Sequence, residues 1–234
     1  MVAGVTSVPV LLHSRVMETH ISSAAALRPF RGKDHDRVII DSTRGVFAVF
    51  DGAANAEASS MAASCLEELL ESGVRLDVRH SFTEIQRRLV AAYQGAKLTT
   101  GSIVSLYHHD QQNIQVRYAA AGDSPIMYFN PVSQQLEQWT QDESVRHETY
   151  IDASNFLGSS RHRLRQLGKR AVHSGSTLLM MSDGITDEYF DGHLKPDDIT
   201  NAILSTTTAE ELADQIVNDT AVFDDASVVA IRFG

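Results

Sequence analysis

The chain has 234 residues, of which 43% are apolar and 21% charged, which excludes disorder over most of its length and suits one large domain, expected over residues 1–234. Its 30 acidic and 20 basic side chains give a formal net charge of −10, which disfavours nonspecific attraction to nucleic acid or to an anionic membrane. The single cysteine, Cys65, excludes an internal disulfide, and no stretch approaches the roughly 20 apolar residues of a membrane span. We therefore expect a cytoplasmic protein that has neither nucleic acid nor membrane as a partner.

Apolar periodicity separates helical segments from β-segments along the chain. Spacing of three and four residues predicts the helices, and short β-rich runs bounded by turn residues predict strands, four of them in an antiparallel meander. Helices grouped between runs of antiparallel strands favour an α+β fold rather than a parallel sheet. In chain order the predicted segments are a hairpin of 38–40 with 46–50, a helix over 56–72, a helix capped by Ser81 and Glu84, the meander 102–108, 114–120, 126–129 and 135–140, an irregular insertion at 141–174, a strand at 176–181, helices opening at Pro196 and at Thr208, and a final strand at 227–233.

Acidic residues recur where these apolar strands begin or end. A carboxylate at a strand end is held rigidly, and several that converge there repel one another unless cations lie between them. Oxygen ligands without thiols or paired histidines suit Mg²⁺ or Mn²⁺ better than zinc. The residues that form this series are Asp36, Asp51, Asp123, Asp183, Asp187, Asp224 and Asp225.

The order and local sequence of these acidic motifs resemble the metal-dependent protein phosphatases of the 2C type, the PPM superfamily. The resemblance covers about residues 17–233, and five short motifs in the right order are more specific than any one of them. The matching segments are Phe47-Ala-Val-Phe-Asp51-Gly52, Thr100-Gly101-Ser102 with Ala121-Gly122-Asp123-Ser124, Thr140-Gln141-Asp142, Ser182-Asp183-Gly184-Ile185-Thr186-Asp187 and Asp224-Asp225-Ala226-Ser227-Val228-Val229.

The resemblance implies a four-layer αββα sandwich, in which helices flank two central antiparallel sheets, and a binuclear Mn²⁺ or Mg²⁺ site between the sheets. It implies a protein-serine/threonine phosphatase, an enzyme that hydrolyses phosphoserine and phosphothreonine by a metal-bridging hydroxide. The implied partners are phosphorylated proteins, with a serine/threonine kinase or its targets among them. It also implies a variable flap beside the active site, placed here at about 143–174.

The resemblance also assigns roles to individual residues. Asp51 would bridge both metals, and the carbonyl of Gly52 would bind one of them. Asp36 would be an outer ligand or would hold a metal-bound water, and Arg31, five residues earlier, would anchor the phosphate. The remaining assigned residues are Asp183 and Asp224, which would complete the metal shell, and Asp123 with Asp187, which match a pair that holds a third, weaker ion in many members.

The sequence departs from the family pattern after the first Asp-Gly pair. The family usually continues with a histidine or methionine and further glycines, whereas this chain has Ala53-Ala54-Asn55. His35 replaces the usual glutamate before Asp36, and Asp225 stands where asparagine is common. An alternative function is therefore a weak or inactive pseudophosphatase that binds a phosphoprotein or a partner on the same scaffold.

Two further features have a structural and a functional interpretation. Cys65 lies among apolar residues of a predicted helix, and Glu71 stands where a cysteine phosphatase needs arginine, so we interpret Cys65 as a core residue. The segment 161–170 holds five basic residues, which either attract phosphorylated or acidic substrates or form a solvated face.

Overall fold

The computed structural model describes residues 21–73, 75–108, 114–146, 151–186, 193–221 and 224–234. These residues form twelve strands and five helices. In chain order the elements are β1 (Ile21–Arg28), β2 (Arg37–Asp41), β3 (Val46–Ala53), α1 (Ala56–Glu71), α2 (Val78–Tyr93), β4 (Leu98–His108), β5 (Ile114–Ala121), β6 (Ile126–Asn130), β7 (Gln135–Gln138), β8 (Ser144–Arg146), β9 (Ile151–Ala153), β10 (Gln166–Val172), β11 (Thr177–Met181), α3 (Asp183–Thr186), α4 (Pro196–Ser205), α5 (Ala209–Asp219) and β12 (Ala226–Phe233).

Ten of the strands form two antiparallel five-stranded sheets in the described part of the chain. One sheet has the order β1-β12-β11-β6-β7 and the other the order β10-β5-β4-β3-β2, while β8 and β9 pair separately. Side chains of the two sheets interdigitate in a central core that includes Phe47, Val49, Leu178 and Val229. The sheets are therefore the two inner layers of a sandwich.

Helices cover the outer face of each sheet. The apolar stripes of α1 and α2, which include Leu66 and Ile85, pack on the sheet that contains β3. Those of α4 and α5, which include Ile199 and Leu212, pack on the sheet that contains β11. The expected α+β four-layer αββα architecture is thus confirmed. None of the described helices is long and apolar enough to cross a membrane.

Local signals explain most of the helix boundaries. Asn55 and Thr208 accept backbone N–H groups at the start of α1 and α5, and Thr208 forms the expected capping box with Glu211. The prediction that Ser81 caps α2 is wrong. Asp77 is the cap, because its carboxylate accepts the N–H of His80, at 2.9 Å, and Ser81 lies inside the helix.

Two predictions about strands need correction, and one strand was not predicted. The expected meander is divided at 122–125, because β5 belongs to one sheet and β6 to the other. The prediction of an irregular insertion at 141–174 is wrong, because this segment contains β8, β9 and β10, and β10 pairs with β5 along its whole length. The strand that was not predicted is β1, which pairs with β12 from Ile21 to Arg28.

Candidate metal centre

The candidate site lies at one end of the sandwich, where strands of both sheets begin or end. Antiparallel pairing places the start of one strand beside the end of the next, so residues that are distant in sequence meet there. Asp51 is the sixth residue of β3, opposite Thr100 of β4. The other acidic residues at this end are Asp36 before β2, Asp123 after β5, Asp183 after β11, and Asp224 and Asp225 before β12.

Asp36 is a buried carboxyl group, with 3% of its surface exposed. Burial is the main cause that raises its pKa to about 7, and the negative charges of Asp183 and Asp225 add to the shift. Hydrogen bonds from the hydroxyls of Ser227, at 2.6 Å, and Ser182 oppose that shift because they stabilise the carboxylate. Asp36 is therefore held in place by polar partners while its neighbours disfavour its negative charge.

Asp51 interacts with three other carboxyl groups. Its pKa is raised well above the ordinary value, first by burial and then by the negative charges of Asp183 and Asp36. Asp183 also makes a side-chain hydrogen bond with Asp51, and Asp123 contributes further repulsion. The structure thus brings Asp36, Asp51, Asp123 and Asp183, all predicted from the sequence, into one group that we call the carboxylate cluster.

Two glycines allow the backbone to approach closely at this cluster. A Cβ atom on Gly52 would lie 2.8 Å from the carbonyl oxygen of His35 and would also meet the carbonyl oxygen of Asn55. A Cβ atom on Gly184 would collide with the carbonyl oxygen of Asp225. The glycine of each Asp-Gly pair is therefore required by packing. The close backbone contacts at Gly52 and Gly184 fix the positions of the neighbouring Asp51 and Asp183.

Asp225 has a role that the sequence analysis did not predict. Its carboxylate accepts the backbone N–H groups of Phe30, at 2.6 Å, and His35, at 2.7 Å, and so ties down both ends of the loop between them. Arg31 lies in this loop, exposed, with its guanidinium 4.9 Å from the centroid of the Phe30 ring. No local sequence signal could reveal this contact, because the donors lie about 190 residues from the acceptor.

Asp224 lies at the margin of the site. Its carboxylate accepts the backbone N–H of Asp225 at 2.8 Å, and it lies 3.8 Å from the ammonium group of Lys33. The two side chains of this ion pair are 41% and 45% exposed. Lys33 is thus a second cation in the loop that carries Arg31, and it was not predicted as a site residue. Asp187, which was expected to act with Asp123, lies outside the described residues.

The chemistry of these donors fits Mn²⁺ or Mg²⁺. In the part of the chain that the structure describes, no three His, Cys, Asp or Glu side chains are already arranged around one point as metal ligands. Asp51 is instead hydrogen-bonded to Asp183, and a divalent cation among the carboxylates would remove the repulsion that adds to burial in raising the pKa of Asp36 and Asp51. Every donor in the cluster is a hard oxygen atom, the type that these two ions prefer.

A cleft opens beside the carboxylate cluster. Its volume is about 450 Å³, which is large enough for a substrate side chain. Asp123 and Asp183 line the cleft together with other charged and polar residues, including Asp142, His193 and Lys195.

Comparison with solved structures identifies the class of fold. The catalytic domain of the serine/threonine protein phosphatase PstP, solved with two manganese ions, has a TM-score of 0.71 and 18% identity, over 91% of this chain and 98% of that one. The serine/threonine phosphatase of S. agalactiae has a TM-score of 0.74 and 17% identity, over 92% and 100%. RsbX, solved with magnesium, has a TM-score of 0.65 and 17% identity, over 99% and 100%. The fold is that of the PPM-type phosphatases, as the sequence motifs predicted.

The family follows from the sequence comparison. The model of the Stage II sporulation protein E (SpoIIE) family matches residues 51–234, well over half of the chain. The chain therefore belongs to the SpoIIE family. A comparison with curated proteins found no significant match.

Proposed function

We propose that this protein is a metal-dependent phosphatase that hydrolyses phosphoserine and phosphothreonine esters in proteins. The observation that supports this function best is the carboxylate cluster at the sheet ends, because one buried and three half-buried carboxylates that repel one another destabilise a fold unless cations or protons neutralise them. In the proposal the metal ligands are Asp36, Asp51, the Gly52 carbonyl, Asp183 and Asp224, with Asp123 and Asp187 for a third, weaker ion.

The ions and the protein have separate tasks in this proposal. Bound Mn²⁺ or Mg²⁺ would supply Lewis acidity at the phosphoryl oxygens and a hydroxide for attack on phosphorus. Arg31 would bind two phosphoryl oxygens through its planar guanidinium, which Lys cannot do with the same geometry. Asp225 would keep Arg31 within reach, because it anchors both ends of the loop that carries Arg31.

Lys33 would supply a second positive charge from the loop that carries Arg31. Its ammonium group lies 3.8 Å from Asp224, so it offsets part of the negative charge at the margin of the site. A metal ion at Asp224 would compete with Lys33 for the carboxylate. Release of Lys33 would then leave a second cation free for the substrate phosphate.

The proposed location of this phosphatase is the cytoplasm. Phosphorylated proteins are the proposed substrates, so the kinases that produce them are the class of enzyme that must precede this one. Cys65 is a buried free thiol, which fits the reducing cytoplasm.

Hydrolysis assays with a metal series test this function. The purified protein is incubated with p-nitrophenyl phosphate and with a phosphothreonine peptide, in Mn²⁺, Mg²⁺ or excess chelator. We expect turnover of both substrates with either ion and none with chelator. Turnover that is unaffected by chelator would contradict the proposal.

A noncatalytic binding module is the second candidate. Ala53 puts a methyl group where the resemblance leads us to expect histidine or methionine, so a side chain that could assist the leaving group is missing. Calorimetry distinguishes the two functions. Tight binding of Mn²⁺ and of the phosphopeptide, together with no turnover in the hydrolysis assay, would assign the protein to the second class.

A further inference from the structure

Three cations surround one tyrosine on the outer face of the sheet that contains β4 and β5. The charged groups of Arg117, Arg75 and Lys169 lie 4.6, 5.2 and 5.8 Å from the centroid of the Tyr107 ring. Arg117 also donates from Nε to the Tyr107 hydroxyl at 2.8 Å, and this hydroxyl donates to Gln115. We call Arg75, Arg117, Lys169 and Tyr107 the Tyr107 cluster.

The charges of the Tyr107 cluster are not balanced by carboxylates among the described residues. Other arginines of the chain have acidic partners, such as Arg44 with Asp41 at 2.6 Å and Arg87 with Glu84 at 2.7 Å. The ion pairs of the described residues include none of the three cations of the cluster. In a chain with a net charge of −10, this patch is a local reversal of sign.

The surface next to the cluster has room for a ligand. A cavity of about 280 Å³ lies between the end of α1 and the sheet, and Arg75, Arg44 and Ser105 line it. Arg75 thus belongs both to the cavity and to the Tyr107 cluster. An acidic side chain that entered the cavity would meet this guanidinium and the hydroxyl of Ser105.

Strand β10 provides a backbone surface beside the same cations. Within the described residues β10 is at the edge of its sheet, paired with β5 alone. Lys169 is exposed on this strand and pairs with Arg117 of β5, so an extended segment added to β10 would lie next to Lys169. Cations on an edge strand disfavour pairing with another cationic or neutral strand, but they attract an acidic one.

We propose that the Tyr107 cluster and the edge of β10 form a docking surface for an extended, acidic segment of a partner protein. The backbone of the segment would pair with β10, and its carboxylates on one face would contact Lys169, Arg117 and Arg75. The surface lies roughly 20 Å from Asp123, measured along β5. It is therefore separate from the carboxylate cluster, and it does not depend on the protein being a phosphatase.

Peptide binding to the full chain tests the proposal. The probe is a fluorescent peptide that alternates Glu and Thr, which favours a strand with all carboxylates on one face, and its control alternates Gln and Thr. The test variant combines Arg75→Gln, Arg117→Gln and Lys169→Gln. The control variant combines Arg79→Gln, Arg87→Gln and Arg161→Gln, which removes the same charge from exposed arginines elsewhere.

We expect the Glu peptide to bind the wild-type protein at low salt, and its affinity to fall about tenfold in the test variant and less than about twofold in the control variant. Amide resonances of β10 should shift when the peptide is added, and hydrolysis of p-nitrophenyl phosphate should be unchanged in the test variant. Equal losses in both variants would overturn the proposal, because overall charge would then explain binding. The proposal would also be overturned if the Gln peptide bound as tightly as the Glu peptide, if the Glu peptide did not bind the wild-type protein, or if its affinity fell only in the control variant.

Discussion

The carboxylate cluster and the Tyr107 cluster both concentrate charge of one sign, but they do so under different physical conditions. Asp36 is buried and its pKa is raised, so its charge interacts strongly with its neighbours. Arg75 and Lys169 are exposed, and water and salt screen them. Like charges at the surface therefore cost little, whereas the buried and half-buried carboxylates of the first cluster are unfavourable unless a cation or a proton compensates them.

This difference predicts that substitutions in or beside the carboxylate cluster have large effects and that substitutions of exposed charges have small ones. The largest effect is expected for the replacement of a proposed metal ligand, and the smallest for a change of backbone strain at Ala54.

Asp183→Asn should lower kcat for p-nitrophenyl phosphate by about a hundredfold or more, because the amide is a weaker metal ligand than the carboxylate. The variant should unfold in chelator at the same or slightly higher denaturant concentration than the wild type, since one repulsive charge next to Asp51 is lost. Steady-state kinetics at saturating Mn²⁺ and denaturant titration measure the two effects.

Asp219→Asn is the matched control, because it changes an exposed aspartate at the end of α5. It should leave kcat unchanged. Full activity of the Asp183 variant at saturating Mn²⁺ would remove Asp183 from the metal site.

Gly184→Ala should reduce the free energy of unfolding by about 2 kcal/mol, because the added methyl group meets the carbonyl oxygen of Asp225. Asp225 anchors the Arg31 loop, so activity per folded molecule should fall as well. Gly168→Ala provides the control in β10, where a methyl group would meet the Tyr118 ring. It should destabilise the protein without loss of specific activity, and a similar loss in both variants would contradict the local role of Gly184.

The residues of the carboxylate cluster and those that support it illustrate what the sequence could and could not predict. Asp51 and Asp183 were found because each occurs in a short motif at the end of an apolar strand, and such strand ends have a local signal. The anchoring role of Asp225 and the hydrogen bond from Ser227 to Asp36 depend on contacts between segments about 190 residues apart. The division of the meander was not predicted because Gly122 and Pro125 indicate a turn, without indicating whether the next strand stays in the same sheet.

Arg163→Glu combined with Arg165→Glu tests whether exposed cations near the carboxylate cluster attract acidic substrates. The backbone of Arg163 is fixed by Asn155, whose side chain also binds Glu143, and Glu143 in turn bonds to Gly122. We expect KM for an acidic phosphopeptide to rise about fivefold at low salt, and the effect to shrink as salt increases.

The small substrate p-nitrophenyl phosphate separates attraction from distortion in this variant. Its KM should be unchanged, because a small ester does not extend to the exposed arginines. Arg79→Glu combined with Arg87→Glu, which reverses two charges on α2, is the control and should affect neither substrate. Equal effects on both substrates would indicate a distorted metal site instead.

Ala54→Gly addresses the departure that follows the first Asp-Gly pair. Ala54 has a φ of 64°, in the left-handed region where an alanine costs about 1 kcal/mol and glycine does not. The greater freedom of glycine in the unfolded chain offsets part of the gain, so we expect a net stabilisation of about 0.5 kcal/mol by denaturant titration.

Ala53→Gly is the control on the adjacent residue, which ends β3 in an ordinary extended backbone. There the same change should destabilise the protein by about 0.5 kcal/mol, because glycine weakens a strand and relieves no strain. A shift of the same sign in both variants would show that the conformation of Ala54 carries no strain. Stability changes of opposite sign would show that Ala54 adopts a backbone conformation that favours glycine. The departure from the family pattern would then lie in the type of residue and not in the shape of the loop beside Asp51.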